Sequence, residues 1–333
     1  MYSVECIGIN TFLKSACKLL LDEGCVRKTR GYRCIELPGP AIFKIFEPTA
    51  RLITIPQRKW NWALPYAESL WIASGRNDMN FMNYYLPRLM DYSDDGVSMR
   101  GGYGPRFRHF SGIRKDYYYS SIRDCTNTET DQLRYSIECL KQDINSRRAI
   151  IVFGDPNKDC FSLNGAIKET KDIPCTQTIQ FVKNSITNKL DMYVFMRSND
   201  LLWGASAVNI FNYTFILEYV SAIIGLEIGS YYHITTNLHY YEDKKDMVEA
   251  IAKENEIIDF PYVYNKTFTT LQEFDCLIKK LSIAENEMRN NKEISNNILW
   301  EDDFFRDWYN VLRAKITGQI EYFSMPLLNN LIH

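Results

Sequence analysis

Apolar residues recur at the spacing of an α-helix in several parts of the chain. Over residues 4–23 they fall three or four positions apart, so one face of a helix would be apolar. Residues 131–149 repeat this spacing and predict a helix that ends near Asn145. Residues 65–75 indicate another helix with one inward face. The pattern thus predicts helices that pack one side against a core.

Extended segments alternate apolar and polar residues, or are apolar throughout, in the middle of the chain. They are AIIVFGDP at 149–156, TQTIQFVK at 176–183, LDMYVFMR at 190–197 and IGSYYHITTNLHYY at 228–241. Such runs are typical of strands in a sheet that is covered on at least one face. The chain is therefore expected to mix helices with a substantial sheet.

Glycine, proline and arginine interrupt these regular patterns in three places. Residues 24–40 predict a loop that leads into a short strand. Residues 41–56 predict two extended segments around a turn at Glu47-Pro48. Residues 93–108 contain four glycines interleaved with arginines, which indicates an ordered loop.

The second half of the chain is mainly helical in pattern. Residues 207–226 are apolar on almost every side, which predicts a buried central helix. The tail after residue 242 predicts two or three amphipathic helices, the last of them over residues 300–320. No repeat or linker interrupts the sequence. We therefore expect a single α+β domain over residues 1–333, with a helical C-terminal extension from residue 243.

Composition sets limits on the function. The 333 residues are 46% hydrophobic and 24% charged, with a net charge of -2, so a sizeable core is expected and a general polyanion binder is not. Nucleic acid is therefore not predicted as a partner. The start of the chain has no secretory pattern, and charges interrupt the apolar runs. A soluble, cytoplasmic protein without a membrane partner is the expectation.

The nine cysteines and four histidines do not form a recognisable metal motif. The cysteine count is odd, and no two cysteines are arranged as CxxC, the spacing that many zinc sites use. The sequence therefore predicts free thiols in a reducing compartment and no metal.

Four short motifs carry candidate chemistry. Cys175 follows a proline at the start of a strand, Arg147 and Arg148 follow the end of a helix, Arg197 ends a strand, and His239 lies on another strand. Each has an ordinary structural explanation, such as a buried cysteine or a solvated basic turn. Arginine forks beside a hydroxyl would also suit a phosphate group. The motifs taken singly leave both interpretations open.

In chain order and spacing, the motifs resemble the thymidylate synthase / deoxycytidylate hydroxymethylase family. The resemblance covers residues 60–245 and, more loosely, residues 25–50. The matching residues are Glu68 before Leu70-Trp71, Gly102-Tyr103-Gly104, Asp131-Gln132-Leu133 leading to Ser146-Arg147-Arg148, Pro174-Cys175 with Gln180-Phe181 after it, Arg197-Ser198-Asn199-Asp200, Gly204, Asn209 and His239-x-Tyr241.

The resemblance implies a fold and a reaction. Family members have a three-layer α+β fold whose large mixed sheet packs against its twin in a homodimer. They transfer a one-carbon unit from 5,10-methylenetetrahydrofolate to C5 of a pyrimidine nucleoside monophosphate. Cys175 would be the nucleophile that adds to C6 of the ring, because a thiolate adduct makes C5 reactive. Arg197 would stabilise the thiolate and contact the phosphate.

The resemblance also assigns the nucleotide contacts. The phosphate would lie between Arg197, Ser198 and, from the partner subunit, Arg147 and Arg148. A loop arginine would close over it. Arg30 is the better match for this role and Arg33 is a rival.

His239 and Tyr241 match the residues that hydrogen-bond the sugar 3′-hydroxyl, and Asn209 matches the one that reads the base. An amide donates to O4 and accepts from N3–H, so Asn209 favours uracil.

The remaining matches concern the folate and the proton transfers. Glu68 would act through water as a proton relay, and Tyr103 would help to orient the ring and its water. Asp200 would contact the pterin, Gly204 would leave room for the folate ring, and Trp203 would line the folate site.

Four departures from the family pattern keep the product open, and one is that residues 76–100 lack the tryptophan pair that often lines the folate site. Thr176 stands where a histidine usually follows the cysteine, and one residue is extra between Gly204 and Asn209. The final LLNNLIH differs from the short apolar C-terminus that excludes water from a thymidylate synthase. The sequence favours methylation of dUMP to dTMP, and hydroxymethylation of dUMP or dCMP is the alternative. A hypothesis of another class is an inactive homologue that binds nucleotide or RNA.

Overall fold

A computed structural model shows the chain as two compact units, each assembled from separate stretches. The structure describes residues 1–29, 31–290 and 300–332. Unit 1 comprises Met1–Pro65, Cys175–Ser221 and Leu226–Val263. Unit 2 comprises Tyr66–Pro174, Ala222–Gly225 and the chain from Tyr264 onwards. The prediction of one domain over residues 1–333 stays a prediction.

The larger sheet of unit 1 is mixed. Its strands are β1 (Tyr2–Cys6), β4 (Ala41–Ile45), β6 (Thr176–Lys183), β7 (Leu190–Met196) and β9 (Ile228–Thr235). They lie in the order β1-β4-β9-β7-β6. The β1–β4 and β7–β9 pairs are parallel, and the β4–β9 and β6–β7 pairs are antiparallel. The predicted α+β class with a large mixed sheet is therefore confirmed.

A smaller sheet of unit 1 carries part of the predicted site. Its strands are β2 (Cys25–Thr29), β3 (Tyr32–Glu36), β8 (Asn199–Asp200) and β10 (Leu238–Tyr241), in the order β2-β3-β10-β8. The β2–β3 and β3–β10 pairs are antiparallel, and β8 runs parallel to β10. Over residues 24–40 the predicted short strand is confirmed as β3, and the loop predicted before it was wrong for Cys25–Thr29, which forms β2.

Helix α1 (Ile9–Glu23) begins later than the sequence predicted. The residues before Ile9 form β1 and pair with β4, because their short alternating pattern also suits an edge strand. The Asp259 carboxylate lies at the start of the helix and accepts hydrogen bonds from the backbone N–H groups of Gly8, Asn10 and Thr11. An acidic side chain at this end stabilises a helix through its dipole.

The predicted central helix is confirmed as a buried element, and it starts earlier than expected. A π-helical segment, Leu201–Asn209, leads directly into α7 (Ile210–Ile224). The stretch Leu201–Ile224 is long and apolar enough to cross a membrane by length and composition, but 83% of its most apolar window is buried inside the protein. Its composition is thus accounted for by its place in the core.

Unit 2 is mainly helical. Its elements are α2 (Ala63–Ala73, from Tyr66 on), α3 (Met79–Tyr85), α4 (Tyr103–Arg108), α5 (Gln132–Gln142), β5 (Ile150–Val152), α6 (Pro156–Asp159), α9 (Leu271–Arg289), α10 (Asp303–Thr317) and α11 (Pro326–Leu331). Helix α8 (Lys245–Ala252) belongs to unit 1. The tail thus contains four described helices where two or three were predicted.

The C-terminal helices are fixed in unit 2 by buried polar contacts. Tyr85 on α3 donates to Glu285 on α9 at 3.0 Å, and Arg289 on α9 forms an ion pair with the same carboxylate. The indole N–H of Trp308 on α10 donates to the carbonyl of Tyr66 at 2.8 Å. Buried polar groups that find partners in this way specify how the helices pack.

Two other predicted boundaries were wrong. The expected loop at 93–108 contains α4, a six-residue helix that begins immediately after two glycines. The single strand expected at 228–241 is divided into β9 and β10, which join different sheets. The division between β9 and β10 falls in the polar residues 235–237, where the chain passes from one sheet to the other.

Candidate active site

The catalytic candidate Cys175 lies at a point where two strands of unit 1 meet. It immediately precedes β6, and its carbonyl accepts a hydrogen bond of 2.9 Å from the backbone N–H of Arg197, which follows β7. The next pair in register is Thr176 with Met196. The Thr176 hydroxyl hydrogen-bonds the hydroxyl of Tyr213 in the interior. Cys175 itself is half-buried, so its environment differs from that of a cysteine packed in a dry core.

A chain of polar contacts extends from Ser198 into the smaller sheet. The Ser198 hydroxyl donates to the side-chain oxygen of Asn237 at 3.3 Å, and the Asn237 amide donates to Glu36 at 2.6 Å. Glu36 is buried and also accepts from Arg27. Asn237 opens the NxHxY motif that the sequence shows around His239, without a role assigned to it, and the sequence gives no indication of Glu36. These contacts fix the backbone and hydroxyl next to the exposed Arg197.

Asp200 and His239 are neighbours across the β8–β10 pair. One oxygen of Asp200 accepts hydrogen bonds from the backbone N–H groups of Leu202 and Trp203, and so caps the π-helical segment. Burial raises the pKa of the Asp200 carboxyl, and the Trp203 hydrogen bond offsets only part of that effect. The second oxygen of Asp200 and Nδ1 of His239 are buried and have no hydrogen-bond partner among the described residues.

His239 and Tyr241 point to the same face of β10, since residues two apart do so in a strand. Their rings meet edge to face with centroids 5.7 Å apart, and Tyr32 packs on Tyr241 at the same distance. Arg33, the rival loop arginine, forms an ion pair of 2.8 Å with Glu242. Arg33 is therefore held by Glu242, near the face of β10 that carries His239 and Tyr241.

The π-helical segment explains the extra residue in the sequence between Gly204 and Asn209. A π-helix takes more residues per turn than an α-helix, so it can absorb a one-residue insertion without displacing the residues after it. A Cβ on Gly204 would lie 3.1 Å from the Asn209 amide nitrogen and 3.4 Å from the Asn199 amide. Gly204 therefore leaves room for these two side chains, both of which are buried.

Two side chains from the segment before α2 hold the π-helical carbonyl groups. Arg58 donates to the Leu202 carbonyl and, at 3.0 Å, to the Ser206 hydroxyl. The Trp60 indole donates to the Ala207 carbonyl at 3.0 Å. The sequence alone does not indicate these roles of Arg58 and Trp60, because their hydrogen-bond partners lie about 150 residues away along the chain.

The other predicted residues belong to unit 2. Glu68 lies on α2 and is half-buried. Tyr103 is the first residue of α4, and its ring packs edge to face on Phe153 with centroids 5.1 Å apart. Arg147 and Arg148 are exposed in the turn between α5 and β5. Arg30 lies outside the described residues, and its assigned role stays a prediction.

Unit 1 thus brings together the candidate nucleophile, its neighbouring arginine, a buried amide and an acid–histidine pair. A family model described as thymidylate synthase matches residues 11–295. The chain belongs to the thymidylate synthase family. That match covers most of the chain and includes every residue of the candidate site.

Individual members of the thymidylate synthase family give a finer comparison. The chain is 35% identical over 225 residues to a deoxyuridylate hydroxymethyltransferase of Bacillus phage SP01, covering 67% of this chain and 55% of that protein. It is 32% identical over 220 residues to a protein of the same name from Delftia phage PhiW-14, covering 64% and 55%. A thymidylate synthase of Mycoplasma mobile is 27% identical over 172 residues, covering 52% and 50%. The chain therefore spans only about half the length of each of these relatives.

Proposed function

We propose that this protein transfers a one-carbon unit from 5,10-methylenetetrahydrofolate to C5 of dUMP, with 5-hydroxymethyl-dUMP as the product. The observation that carries the proposal is the backbone contact between Cys175 and Arg197 at the strand ends of unit 1. This contact places the two residues opposite each other on neighbouring strand ends, and a thiol near a guanidinium is what covalent catalysis on a phosphorylated pyrimidine requires. The similarity to phage deoxyuridylate hydroxymethyltransferases supports the choice of substrate.

Cys175 is proposed as the nucleophile. Its thiolate adds to C6 of the uracil ring, the electron pair moves towards O4, and C5 gains the character of an enolate carbon. The positive charge of Arg197 stabilises the thiolate and binds the phosphate in a charge-assisted contact. The Ser198 hydroxyl donates its one proton to Asn237 in this structure, and it would turn that proton to the phosphate when the nucleotide binds.

His239 and Tyr241 are proposed to bind the sugar. The Nδ1 atom of His239 is buried without a partner among the residues that the structure describes. A sugar hydroxyl would satisfy that nitrogen, and leaving it unpaired would cost about 1–3 kcal/mol. Tyr241 lies on the same face of β10 and can bind the same hydroxyl.

Asp200 and Trp203 are proposed to hold the folate. The second oxygen of Asp200, which has no hydrogen-bond partner within residues 1–29, 31–290 and 300–332, can accept from the N–H donors of a pterin ring, and the 43% exposed Trp203 side chain offers an aromatic surface. The residues present therefore fit the co-substrate, which when bound supplies the carbon at the oxidation level of formaldehyde. Glu68 and Tyr103 are proposed to orient water and move protons at C5 and O4.

The fate of the C5 methylene group decides between two products. Addition of water gives a hydroxymethyl group, and addition of hydride gives a methyl group. Greater identity to the two phage hydroxymethyltransferases than to the Mycoplasma thymidylate synthase favours the first product. Methylation to dTMP is the second candidate, since the family model that matches the chain is described as thymidylate synthase.

We expect a direct product assay to distinguish these outcomes. The purified protein is incubated with methylenetetrahydrofolate and, separately, with dUMP, dCMP, UMP and CMP, and each product is identified by mass. We expect dUMP to gain the elements of formaldehyde with release of tetrahydrofolate. A product that lacks the oxygen, together with dihydrofolate, would establish methylation. The absence of any product with all four nucleotides would support the hypothesis of an inactive homologue.

A homodimer is proposed as the functional form. One face of the larger sheet carries apolar side chains that are not fully covered within the chain, including Phe195 at 37% exposure. On the same face Tyr193 stacks on Tyr232 with ring centroids 4.5 Å apart, and both are half-buried. An exposed apolar surface of this kind is typical of a contact between subunits. Arg147 and Arg148 of the partner subunit would then reach the phosphate.

We expect two inactive variants to complement each other if arginines are shared in this way. Mixing Cys175→Ser with the double variant Arg147→Ala/Arg148→Ala creates mixed dimers with one intact site. Random exchange should restore about a quarter of the wild-type activity, because half of the dimers are mixed and each has one working site. Differently tagged chains verify the exchange. Mixed dimers that form but stay inactive would show that the arginines act within their own chain.

A further inference from the structure

A group of three chemically distinct side chains lies in unit 2, outside the residues assigned to the reaction. His109 follows α4, and Cys125 and Glu129 lie in the loop that leads to α5. One ligand atom from each residue lies within 4.8 Å of the others. The spacing of these residues in the sequence does not match a zinc motif, and they come together only in the folded chain. An imidazole, a thiol and a carboxylate are the three ligand types that zinc uses in proteins.

His109 is directed into this group by its surroundings. It is only 3% exposed, and Nδ1 lies 3.4 Å from a carboxylate oxygen of Glu129. That nitrogen nevertheless has no aligned hydrogen-bond partner among the described residues. Nδ1 of His109 and the Glu129 oxygen are close together without forming an aligned hydrogen bond. Two ligands of one metal ion have the same arrangement. Burial lowers the pKa of His109, so the ring is neutral and can offer a lone pair.

Gly75 makes room for the imidazole in this position. Its φ of +71° is a left-handed conformation that favours glycine. A Cβ there would lie 2.8 Å from the His109 ring at Cδ2 and Nε2. The Nε2 side of the ring is therefore packed against Gly75, while Nδ1 faces Glu129.

Both oxygens of Glu129 accept hydrogen bonds, and Oε2 also lies 3.4 Å from Nδ1 of His109. Oε1 accepts from the Tyr119 hydroxyl and from Arg123, and Oε2 accepts the backbone N–H of Thr126 at 3.0 Å. Burial alone would raise the pKa of Glu129, but the Tyr119 and Thr126 hydrogen bonds and the Arg123 charge lower it to about 2. The carboxylate is therefore ionised and held in place near neutral pH.

Cys125 is the adjustable member of the group. It is exposed on the loop, and its sulfur lies 3.7 Å from the Thr126 carbonyl oxygen and also interacts with the backbone of Asp131. Partial desolvation and the neighbouring Glu129 raise the pKa of this thiol, so the sulfur carries a proton in the absence of a cation. Formation of a sulfur–metal bond releases that proton to solvent.

We propose that His109, Cys125 and Glu129 bind one zinc-type transition-metal ion. In a tetrahedral zinc site, neighbouring nitrogen and oxygen ligands lie about 3.4 Å apart and sulfur about 3.6 Å from either. The His109–Glu129 distance of 3.4 Å already matches. Cys125 closes the third corner by a small movement of an exposed side chain, and water supplies the fourth ligand. The competing explanation is a simple histidine–glutamate ion pair with a thiol nearby.

The metal would cross-link residues of the loop between α4 and α5 and so stabilise that loop. It would join the end of α4 to a loop segment, residues 120–130, in which most residues are exposed. Since α4 begins at Tyr103, the metal would also fix the helix that carries a proposed orienting residue. The site is a loop-stabilising one, and the transfer reaction itself does not pass through it.

The test uses the full chain, stripped of metal with a chelator and then titrated with Co²⁺ and with Zn²⁺. We expect one equivalent of Co²⁺ to give the visible absorption of a tetrahedral site together with a sulfur-to-cobalt charge-transfer band. Zn²⁺ should displace it and raise the unfolding temperature. Cys125→Ser should abolish the charge-transfer band and weaken Zn²⁺ binding by at least about tenfold, as loss of a ligand does.

Cys160→Ser is the matched control, because Cys160 is also an exposed thiol of unit 2. We expect this variant to keep the stoichiometry, the spectrum and the temperature shift. Both substitutions are at exposed positions, so both chains should fold. Equal metal binding by the Cys125 and Cys160 variants, or a stoichiometric site without a sulfur band, would overturn the assignment and leave the ion-pair explanation.

Discussion

Cys175→Ser is expected to abolish turnover of dUMP while it leaves nucleotide binding largely intact. A serine hydroxyl holds its proton far more tightly than a thiol, and no base is assigned to remove it, so the adduct at C6 does not form. We expect kcat to fall by at least about a thousandfold, which corresponds to ~4 kcal/mol of lost transition-state stabilisation. The dissociation constant for dUMP should change only a few-fold, because Arg197, Ser198 and His239 still hold the phosphate and sugar.

A mechanism-based ligand makes the same prediction visible without turnover. In fluoro-dUMP the fluorine at C5 cannot leave as the C5 proton does, so the adduct with enzyme and folate persists. Intact-mass analysis should find this adduct on the wild type and not on Cys175→Ser. Cys139→Ser is the control, since Cys139 is a cysteine that is half-buried as Cys175 is. Normal activity of the Cys175 variant, or an adduct that maps to another cysteine, would remove the nucleophile assignment.

The parts of the fold that could be predicted are those that local patterns determine. The alternation of TQTIQFVK and LDMYVFMR indicates strands, and β6 and β7 are found at those positions because each buries one face against helices. The helix over residues 131–149 is found as α5, capped by Asp131 and ended near Gln142. The start of α1 could not be placed, because the residues before it pair with β4, a partner far along the chain.

The candidate site divides in the same way. Its motif residues are visible in the sequence because nucleophile, arginine and histidine stand at characteristic spacings. The residues that position them cannot be recognised in the sequence, because Glu36 and Arg58 reach their partners through tertiary contacts. The extra residue before Asn209 would put its register at risk on an α-helix, since a one-residue shift there turns a side chain by about 100°. The π-helical segment absorbs the insertion and keeps the amide beside Gly204.

Asn209→Asp is expected to shift base preference from dUMP towards dCMP. Uracil presents an acceptor at O4 and a donor at N3, which an amide can match with its own donor and acceptor. A carboxylate only accepts, so it repels O4 and instead accepts from the exocyclic amine of cytosine. Because Asn209 is buried, with 8% exposure, a mismatched polar pair there has no water to compensate it. We expect the ratio of kcat/KM for dUMP over dCMP to change by at least about a thousandfold.

Asn212→Asp is the matched control for this prediction, because Asn212 is the other buried asparagine at the start of the same helical stretch. If Asn209 reads the base, the Asn212 variant keeps its preference for dUMP, whatever it loses in stability. A switch produced by Asn212→Asp alone would show that the insertion moves the register and that the π-helical segment has a different purpose. Competition assays with both nucleotides in one reaction measure the ratio directly, so a change in the amount of folded enzyme cancels. The comparison therefore tests the base-reading residue and the role of the π-helix together.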